Sequence, residues 1–345
     1  MYTSGTTGRP KGVMLTHANL AWKNLAHIVE FDYTSADLGL ACGPLYHVGA
    51  LDLTTTTLEA LGARSHVLRR FDAGAVLDAI ERHRVTDVWL APVMIHALLG
   101  HPELGDRDLS SVRLIIDGGE KLPLPLIERV LAAFPNAWFA DAYGMTETVG
   151  GDTVLDKGRV RAKLGSVGRP VLQTQIRTVR PDGSDCDPGE PGEVLMRGPK
   201  VCKGYWRDEA ATARAIQDGW LHTGDLGLLD EDGFLFIVDR VKDVIISGGE
   251  NIASSEVERV LYEHPDVSEA AVVARPDERW NEVPVAFCVL REGAGADGLE
   301  AHCRAALASF KVPRAFHVVD ALPRNPSGKV LKRELRAWAI EEVQG

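Results

Sequence analysis

The sequence has no cysteine pair at metal-site spacing and no apolar run as long as a membrane span. Its 5 cysteines include no CxxC motif, which argues against a structural zinc site. An odd number of scattered cysteines is typical of a reducing compartment, so we expect free thiols and a cytoplasmic protein. A transmembrane helix needs roughly 20 consecutive apolar residues. No such run occurs, so the sequence predicts no transmembrane segment.

An excess of positive charge is also missing. The formal net charge is −11 at pH 7, which argues against nucleic acid as the main partner, because phosphate binding requires a basic face. The N-terminus has neither the basic nor the apolar region of a signal peptide, so none is expected. Hydrophobic residues make up 45% and charged residues 25%, as in ordinary globular proteins. A length of 345 residues predicts about two domains.

The first part of the chain alternates segments of helical and strand-like periodicity. Helices are predicted at 18–29, 51–61, 73–83, 93–99 and 124–134, and strands at 39–45, 63–68, 85–91 and 112–117. Thr16 is a plausible N-cap for the first helix. Strands that alternate with helices predict parallel βαβ units covered on both faces.

The pattern changes near residue 154, where turn dipeptides separate short β-rich runs. Strands are predicted at 175–179, 192–197, 226–229 and 234–238, and Asp232-Gly233 indicates a hairpin between the last two. Helices at 256–262, 298–308 and 331–340 with strands at 269–274, 285–290 and 317–319 then predict a compact α+β unit. We therefore expect a large domain over 1–240, with a β-rich subdomain over about 154–240, and a small domain over 241–345.

The clearest chemical motif lies at the start, where residues 2–12 read Y-T-S-G-T-T-G-R-P-K-G. Glycines allow backbone N–H groups to converge on an anion, hydroxyls add donors, and Lys11 adds charge. The loop is not a Walker A motif, because proline precedes Lys11 and glycine follows it. A phosphate loop is usually held by a preceding strand. Only Met1 and Tyr2 precede this loop, so we expect the strand that orients it to be nearly absent.

Further motifs follow in order: P-L-Y-H-V at 44–48, D-G-G-E-K-L-P at 117–123, Y-G-M-T-E at 143–147, G-W-L-H-T-G-D at 219–225, D-R-V-K-D at 239–243, S-G-G-E-N-I at 247–252 and P-R-N-P-S-G-K at 323–329. Together with the loop S-G-T-T-G-R-P-K-G they resemble the adenylate-forming enzymes, which include acyl-CoA synthetases, aryl-CoA ligases, beetle luciferases and amino-acid-activating domains. The resemblance covers the whole chain. It implies an α/β large-domain remnant with a small antiparallel β subdomain, followed by a compact α+β C-terminal domain.

The resemblance also implies a nucleotide site. Tyr143 would stack on adenine, Asp225 would accept hydrogen bonds from the ribose hydroxyls, and Arg240 would pair with the ribose or phosphate. The full set of residues implied to bind ATP or AMP is Thr3, Ser4, Gly5, Thr6, Thr7, Gly8, Lys11, Gly118, Gly119, Glu120, Tyr143, Gly144, Asp225 and Arg240.

Catalytic residues are implied in the same way. Lys329 would reach the substrate carboxylate and α-phosphate, Glu147 would hold Mg²⁺, and Thr146 would contact the phosphoryl region. His47 would stand beside the acyl pocket as a gate. Lys242 falls at the hinge between the two domains, and the remaining implied residues, which would line the tunnel for CoA, are Ser247, Gly248 and Gly249.

These implications predict an ATP-dependent acyl-CoA ligase, with ATP, Mg²⁺ and CoA, acting on a fatty or other hydrophobic carboxylic acid. An amino-acid- or aryl-acid-activating enzyme and a luciferase-like oxygenase stay open as alternatives. So does an inactive fragment, because members of the family carry a further stretch ahead of the phosphate loop and an N-terminally truncated chain is therefore expected. The sequence does not identify the acid.

Overall fold

The chain folds into two compact units in a computed structural model that describes residues 1–3, 10–118, 122, 124–324 and 330–341. The first unit comprises Met1–Thr223 and Gly227–Ile237, and the second comprises Gly224–Leu226 and Val238–Gly345. The predicted boundary after residue 240 stays a prediction. No helix within the described ranges combines the length and apolarity that crossing a membrane requires.

A short hairpin and a large mixed sheet begin the first unit. Strands β1 (Tyr2–Thr3) and β2 (Lys11–Gly12) pair antiparallel. Within the described residues, a seven-stranded sheet follows, with strands β3 (Leu38–Ala41), β4 (Arg64–Val67), β5 (Asp87–Leu90), β6 (Leu114–Asp117), β7 (Trp138–Tyr143), β8 (Thr153–Val154) and β9 (Arg169–Pro170). Their order in the sheet is β4-β3-β5-β6-β7-β8-β9. Strands β3 to β7 pair in parallel, as the alternating pattern predicts.

Helices cover both faces of this sheet. They are α1 (His17–Glu30), α2 (Thr57–Ala60), α3 (Ala73–His83), α4 (Pro92–Leu99) and α5 (Leu124–Ala133). Alternate strand residues face opposite cores: Ile115 packs with the side of α3, α4 and α5, whereas Leu114 and Ile116 pack with α1 and α2. Thr16 caps α1 as predicted, since its hydroxyl accepts a hydrogen bond from Asn19 N at 3.1 Å.

The predicted helix over 51–61 has a different form in the structure. Gly49–Thr56 is a π-helix, and α2 follows it directly. Threonine hydroxyls here bond to main-chain carbonyls, with Thr55 Oγ1 donating to Ala50 O at 3.3 Å and Thr57 Oγ1 to Asp52 O at 3.2 Å. These hydroxyls compete with backbone N–H groups for the carbonyls, which favours the wider turn.

A smaller antiparallel sheet follows the large sheet along the chain. Its strands are β10 (Gln175–Val179), β11 (Gly192–Arg197), β12 (Ile216–Gln217), β13 (Trp220–Leu229) and β14 (Leu235–Arg240), and helix α6 (Glu209–Ala215) precedes β12. The strand order is β10-β11-β13-β12, with β14 beside β13. Strand β13 is much longer than the predicted 226–229, because it continues through the glycine-containing motif at 219–225.

The second unit is an α+β structure around one sheet. Its strands are β15 (Ile245–Ser247), β16 (Glu250–Ile252), β17 (Val267–Asp277), β18 (Asn281–Leu290) and β19 (Ala315–Val318), and its helices are α7 (Ser254–Tyr262), α8 (Leu299–Ala306) and α9 (Lys332–Glu341). The strands lie in the order β16-β15-β18-β17, with β19 paired to β18. The β15–β16 hairpin has no clear signal in the sequence, because each of its strands is only three residues long.

Candidate active site

The phosphate-loop motif is held at both ends by the β1–β2 hairpin. Thr3 lies opposite Lys11 in the register, and Val13 N donates to Met1 O at 2.8 Å. The strand that precedes the loop is only two residues long, as predicted, and it pairs with β2 on the other side of the loop. The predicted ligands Ser4, Gly5, Thr6, Thr7 and Gly8 lie outside the described residues.

Backbone hydrogen bonds join the end of β2 and the residues that follow it to the segment 202–206. Met14 N donates to Gly204 O at 2.9 Å, and Trp206 N donates to Gly12 O at 2.7 Å. These bonds place the side chain of Tyr205 beside Lys11, whose Nζ lies 4.8 Å from the centre of the Tyr205 ring. A lysine at this distance is attracted by the face of the ring.

Glu147 lies on the turn that follows β7. Its side chain is buried, and its Oε1 accepts a hydrogen bond from Tyr205 Oη at 2.8 Å. Burial, together with the neighbouring Glu147 carboxylate, raises the pKa of Tyr205 far above its usual range, so the hydroxyl stays protonated and donates. One tyrosine thus contacts both Lys11 and Glu147.

At two of the glycines predicted to bind the nucleotide, the packing of the protein itself leaves no room for a side chain. Gly118 follows β6, and a Cβ there would lie 2.4 Å from Ala142 O. A Cβ at Gly144 would lie 2.5 Å from Gly151 N. Tyr143 ends β7, and Thr146 begins the turn that carries Glu147. Gly119 and Glu120 lie outside the described residues.

These positions share one edge of the large sheet. Strands β6 and β7 are adjacent and parallel, with Asp117 opposite Asp141. Gly118 and the segment from Tyr143 to Glu147 therefore follow the carboxyl ends of neighbouring strands, which is where ligands bind in open α/β sheets.

The predicted gate residue packs against the same part of the first unit. The His47 ring centre lies 5.9 Å from that of Trp89, a buried residue of β5. A Cβ at Gly49 would lie 2.5 Å from Trp89, so glycine is required for the segment that carries His47 to pass this ring. A Cβ at Gly150 would lie 3.5 Å from the Val48 side chain, which brings the loop after Glu147 against the segment that carries His47.

Buried charges support the loop after Glu147. Lys200 Nζ lies 3.0 Å from Asp152 Oδ1 and donates to Gly151 O at 2.7 Å. Burial lowers the pKa of Lys200 and raises that of Asp152, while each charge opposes the shift of the other. Neither Lys200 nor Tyr205 carries a signal in the sequence, because these contacts join residues 49 and 58 positions apart along the chain.

In the second unit, the structure brings Asp225 and Arg240 together. Arg240 Nε lies 3.1 Å from Asp225 Oδ1, and the Asp225 side chain is nearly buried. Val241 N donates to Gly224 O at 3.0 Å, which fixes the two segments beside each other. Lys242 is exposed and directly follows this contact.

The predicted CoA-binding residues form the turn of the β15–β16 hairpin. Ser247 pairs with Glu250, and Gly248 and Gly249 have φ angles of +60° and +88°. Glycine favours such left-handed conformations. Gly248 also needs its lack of a side chain, because a Cβ would lie 2.8 Å from Trp280.

Lys329 lies outside the described residues, but the ends of its loop are described. Arg324 and Val330 form a β-bridge, and Leu331 N donates to Pro323 O at 2.7 Å. The motif P-R-N-P-S-G-K is therefore closed at its base. Among the residues whose placement is described, no three His, Cys, Asp or Glu side chains cluster as a metal site, so the expectation of magnesium rests on Glu147.

Comparison with known proteins bears on the whole chain. The family model for "AMP-binding enzyme" matches residues 1–206, and that for "AMP-binding enzyme C-terminal domain" matches residues 256–329. A feruloyl-CoA synthase from Amycolatopsis sp is 45% identical over 97% of this chain and 68% of its own length. The 2-succinylbenzoate–CoA ligase of Bacillus subtilis (strain 168) is 41% identical, again over 97% and 68%.

Solved structures agree with these matches. The o-succinylbenzoate CoA synthetase of Bacillus subtilis, in complex with its acyl-adenylate intermediate, has a TM-score of 0.89 at 41% identity, over 97% of this chain and 68% of that one. The amide bond synthetase of Marinactinospora thermotolerans has a TM-score of 0.86 at 35% identity, over 98% and 68%. The predicted fold is confirmed, and the chain belongs to the AMP-binding, adenylate-forming enzymes, in the branch of the acyl-CoA ligases.

Proposed function

We propose that this chain is an ATP-dependent acyl-CoA ligase for a carboxylic acid that carries an aromatic ring. The observation that carries the proposal is the contact of Tyr205 with both Lys11 and Glu147 at the base of the phosphate loop. It holds a cation and an acid side by side, as the binding of a metal–nucleotide complex requires.

The proposed reaction has two steps. A carboxylate oxygen of the acid attacks the α-phosphorus of ATP, the bond from that phosphorus to the bridging oxygen breaks, and pyrophosphate leaves. The sulfur of CoA then attacks the acyl carbon, its proton is lost, and AMP leaves. Two anions meet in the first step, so positive charge placed at the developing negative charge supplies most of the catalysis.

We propose that Lys11 and Lys329 supply this positive charge in the first step. Glu147 is the residue that would hold Mg²⁺, and one carboxylate with substrate phosphates is a usual Mg²⁺ environment. The described geometry fits, because Oε1 of Glu147 is bonded to Tyr205 and Oε2 receives no hydrogen bond from any described residue. When bound, Mg²⁺ would neutralise part of the negative charge on the phosphates.

The nucleoside part of ATP is assigned to other residues. We propose that Tyr143 stacks on adenine, with Gly118 lining the adenine pocket. Asp225, with Arg240, would bind the ribose, while Thr3, Gly144 and Thr146 would contact the phosphates. The carboxylate of Asp225 can accept from two hydroxyls, as acidic residues do in dinucleotide folds. Ser247, Gly248 and Gly249 would admit CoA, and Lys242 would be the hinge between a large domain over 1–240 and a small one over 241–345.

The preference for an aromatic acid has two supports. Relatives that are at least 40% identical have names that refer to ferulate, 2-succinylbenzoate and indoleacetate. In this chain, the ring of His47 lies next to the ring of Trp89 on β5, and such rings favour stacked or edge contacts with an aromatic ligand. We also propose a cytoplasmic location, which the free thiols of all five cysteines favour.

A substrate panel tests the proposal. Pyrophosphate release would be measured with ATP, Mg²⁺, CoA and each of ferulate, 2-succinylbenzoate, indoleacetate and decanoate, and thioesters would be identified by mass spectrometry. We expect an aromatic acid to give the highest kcat/KM, and Glu147→Gln to lower it roughly 10²–10³-fold. Release with decanoate alone would contradict the aromatic preference. No acid-dependent release at all would contradict the ligase itself.

A further inference from the structure

We propose that Tyr205 is a positioning residue that makes Glu147 a one-oxygen ligand for the divalent cation and thereby favours Mg²⁺ over Ca²⁺. The inference rests on the proposed function only in taking Glu147 as the residue that meets the metal–nucleotide complex. The hydroxyl of Tyr205 donates to the carboxylate of Glu147, and its ring contacts Lys11.

The position of Tyr205 is fixed from several directions. Its backbone N–H donates to Thr212 Oγ1 at 2.9 Å, and the residue is only 8% exposed. The preceding Gly204 has φ +125° and a Cβ there would lie 2.4 Å from Thr212, so the chain can pass only with glycine. Tyr205 therefore has little conformational freedom, and its hydroxyl can hold the Glu147 carboxylate in one orientation.

Glu147 is fixed to the same segment through its own backbone. Cys202 N donates to Glu147 O at 2.7 Å, three residues before the tyrosine. The segment 202–205 therefore holds both the main chain of Glu147, through Cys202, and its side-chain carboxylate, through the hydroxyl of Tyr205. A rotation of the Glu147 side chain must break the 2.8 Å bond to Tyr205.

The hydroxyl bond has a consequence for cation choice. It occupies Oε1 of Glu147 and leaves Oε2 to meet a metal. Mg²⁺ keeps a tight octahedral shell, whereas Ca²⁺ takes more ligands and accepts both oxygens of one carboxylate. A carboxylate with one oxygen already bonded therefore loses more as a ligand for Ca²⁺ than for Mg²⁺.

The ring makes a second contact that can be separated from the first. Lys11 Nζ lies 4.8 Å from the ring centre, and a phenylalanine would keep that attraction while losing the hydroxyl bond. Tyr205→Phe therefore tests the hydroxyl alone, and Tyr205→Leu tests hydroxyl and ring together.

The test is binding of ATP to the whole chain by calorimetry, with Mg²⁺ or Ca²⁺ and without acid or CoA. We expect Tyr205→Phe to reduce the ratio of the Kd with Ca²⁺ to the Kd with Mg²⁺ by about tenfold, the effect of one lost hydrogen bond to a charged group. Tyr205→Leu should in addition weaken binding with both ions, because Lys11 loses the ring.

Tyr33→Phe is the matched control. Tyr33 is also buried and also donates to a carboxylate, Asp87 Oδ1 at 3.2 Å, but within the core. Both phenylalanine variants should lower the melting temperature, and only Tyr205→Phe should change the Ca²⁺/Mg²⁺ ratio. An unchanged ratio in Tyr205→Phe would overturn the inference.

The outcomes separate the two proposals. Wild-type chain that binds ATP with Mg²⁺ but activates no acid would contradict the ligase, while the ratio in Tyr205→Phe still decides the role of the tyrosine. Wild-type chain that activates an acid with an unchanged ratio in the variant would leave the ligase standing and refute the inference. Failure of the wild-type chain to bind ATP with either ion would refute both.

Discussion

Asp225, which we propose to bind the ribose, is also part of a nearly buried ion pair. Its nearly buried carboxylate is paired with Arg240 at 3.1 Å, while 39% of the Arg240 side chain is exposed. A buried charge requires such a partner. The exposed part of the guanidinium still leaves donors that could reach a nucleotide.

We predict that Asp225→Asn raises the KM for ATP about tenfold or more and changes kcat little, because the variant keeps the shape and loses the charge that accepts ribose hydroxyls. Steady-state kinetics at varied ATP concentration would measure the effect. Glu263→Gln is the control in the same unit. It removes an exposed pair with Arg259 on a helix surface, which contributes only about 0.3–0.5 kcal/mol. An unchanged KM in Asp225→Asn would count against the ribose role.

Residues with a motif of their own could be predicted from sequence, and residues that act through distant contacts could not. Glu147 and Lys11 stand in short motifs whose residue types suggest their chemistry. Tyr205 has no such signal, because its partners lie 58 and almost 200 positions away and no periodicity relates them. Its importance follows only from the fold.

At the scale of elements, the loop after Glu147 depends on a buried ion pair. Lys200 bonds to the carbonyls of Gly150 and Gly151 and pairs with Asp152 at 3.0 Å, and both charged side chains are at most 2% exposed. Thr148 donates to the other oxygen of Asp152. The loop is thus ordered by one cation and one anion shielded from water.

We predict that Lys200→Met lowers the free energy of unfolding by about 3–5 kcal/mol, because it leaves the Asp152 charge buried without its partner. The double variant Lys200→Met, Asp152→Asn should recover much of this loss, since it removes the uncompensated charge. Urea denaturation of the two variants and the wild-type chain would measure both. A double variant as unstable as the single one would show that lost packing, and not charge, dominates.

Element types were predictable where the periodicity was strong. The parallel order of β3 to β7 follows from strands that alternate with helices, and Thr16 identifies the start of α1. The π-helix Gly49–Thr56 was not predictable, because it depends on threonine hydroxyls that bond to carbonyls. Only the end of the long strand β13 is predictable from the sequence, because histidine and glycine interrupt the apolar pattern of its first part.

At the scale of the whole molecule, the two proposed half-reactions use different residues. Adenylation needs positive charge near the carboxylate and the α-phosphate, which we assign to Lys329. Thioester formation needs an opening for the CoA thiol, which we assign to the Gly248–Gly249 turn, where a side chain at position 248 would meet Trp280.

We predict that Lys329→Ala lowers adenylate formation roughly 10²–10³-fold, the cost of removing a preorganised charge from a developing anion. Thioester formation from supplied acyl adenylate should be nearly unchanged, because we assign the entry of the CoA thiol to the Gly248–Gly249 turn and not to Lys329. Gly248→Ala should show the reverse, since its Cβ would lie 2.8 Å from Trp280 at φ +60° and disturb only the turn. Each half-reaction would be followed separately, by pyrophosphate release and by thioester mass. Equal loss of both half-reactions in Lys329→Ala would contradict the division of roles.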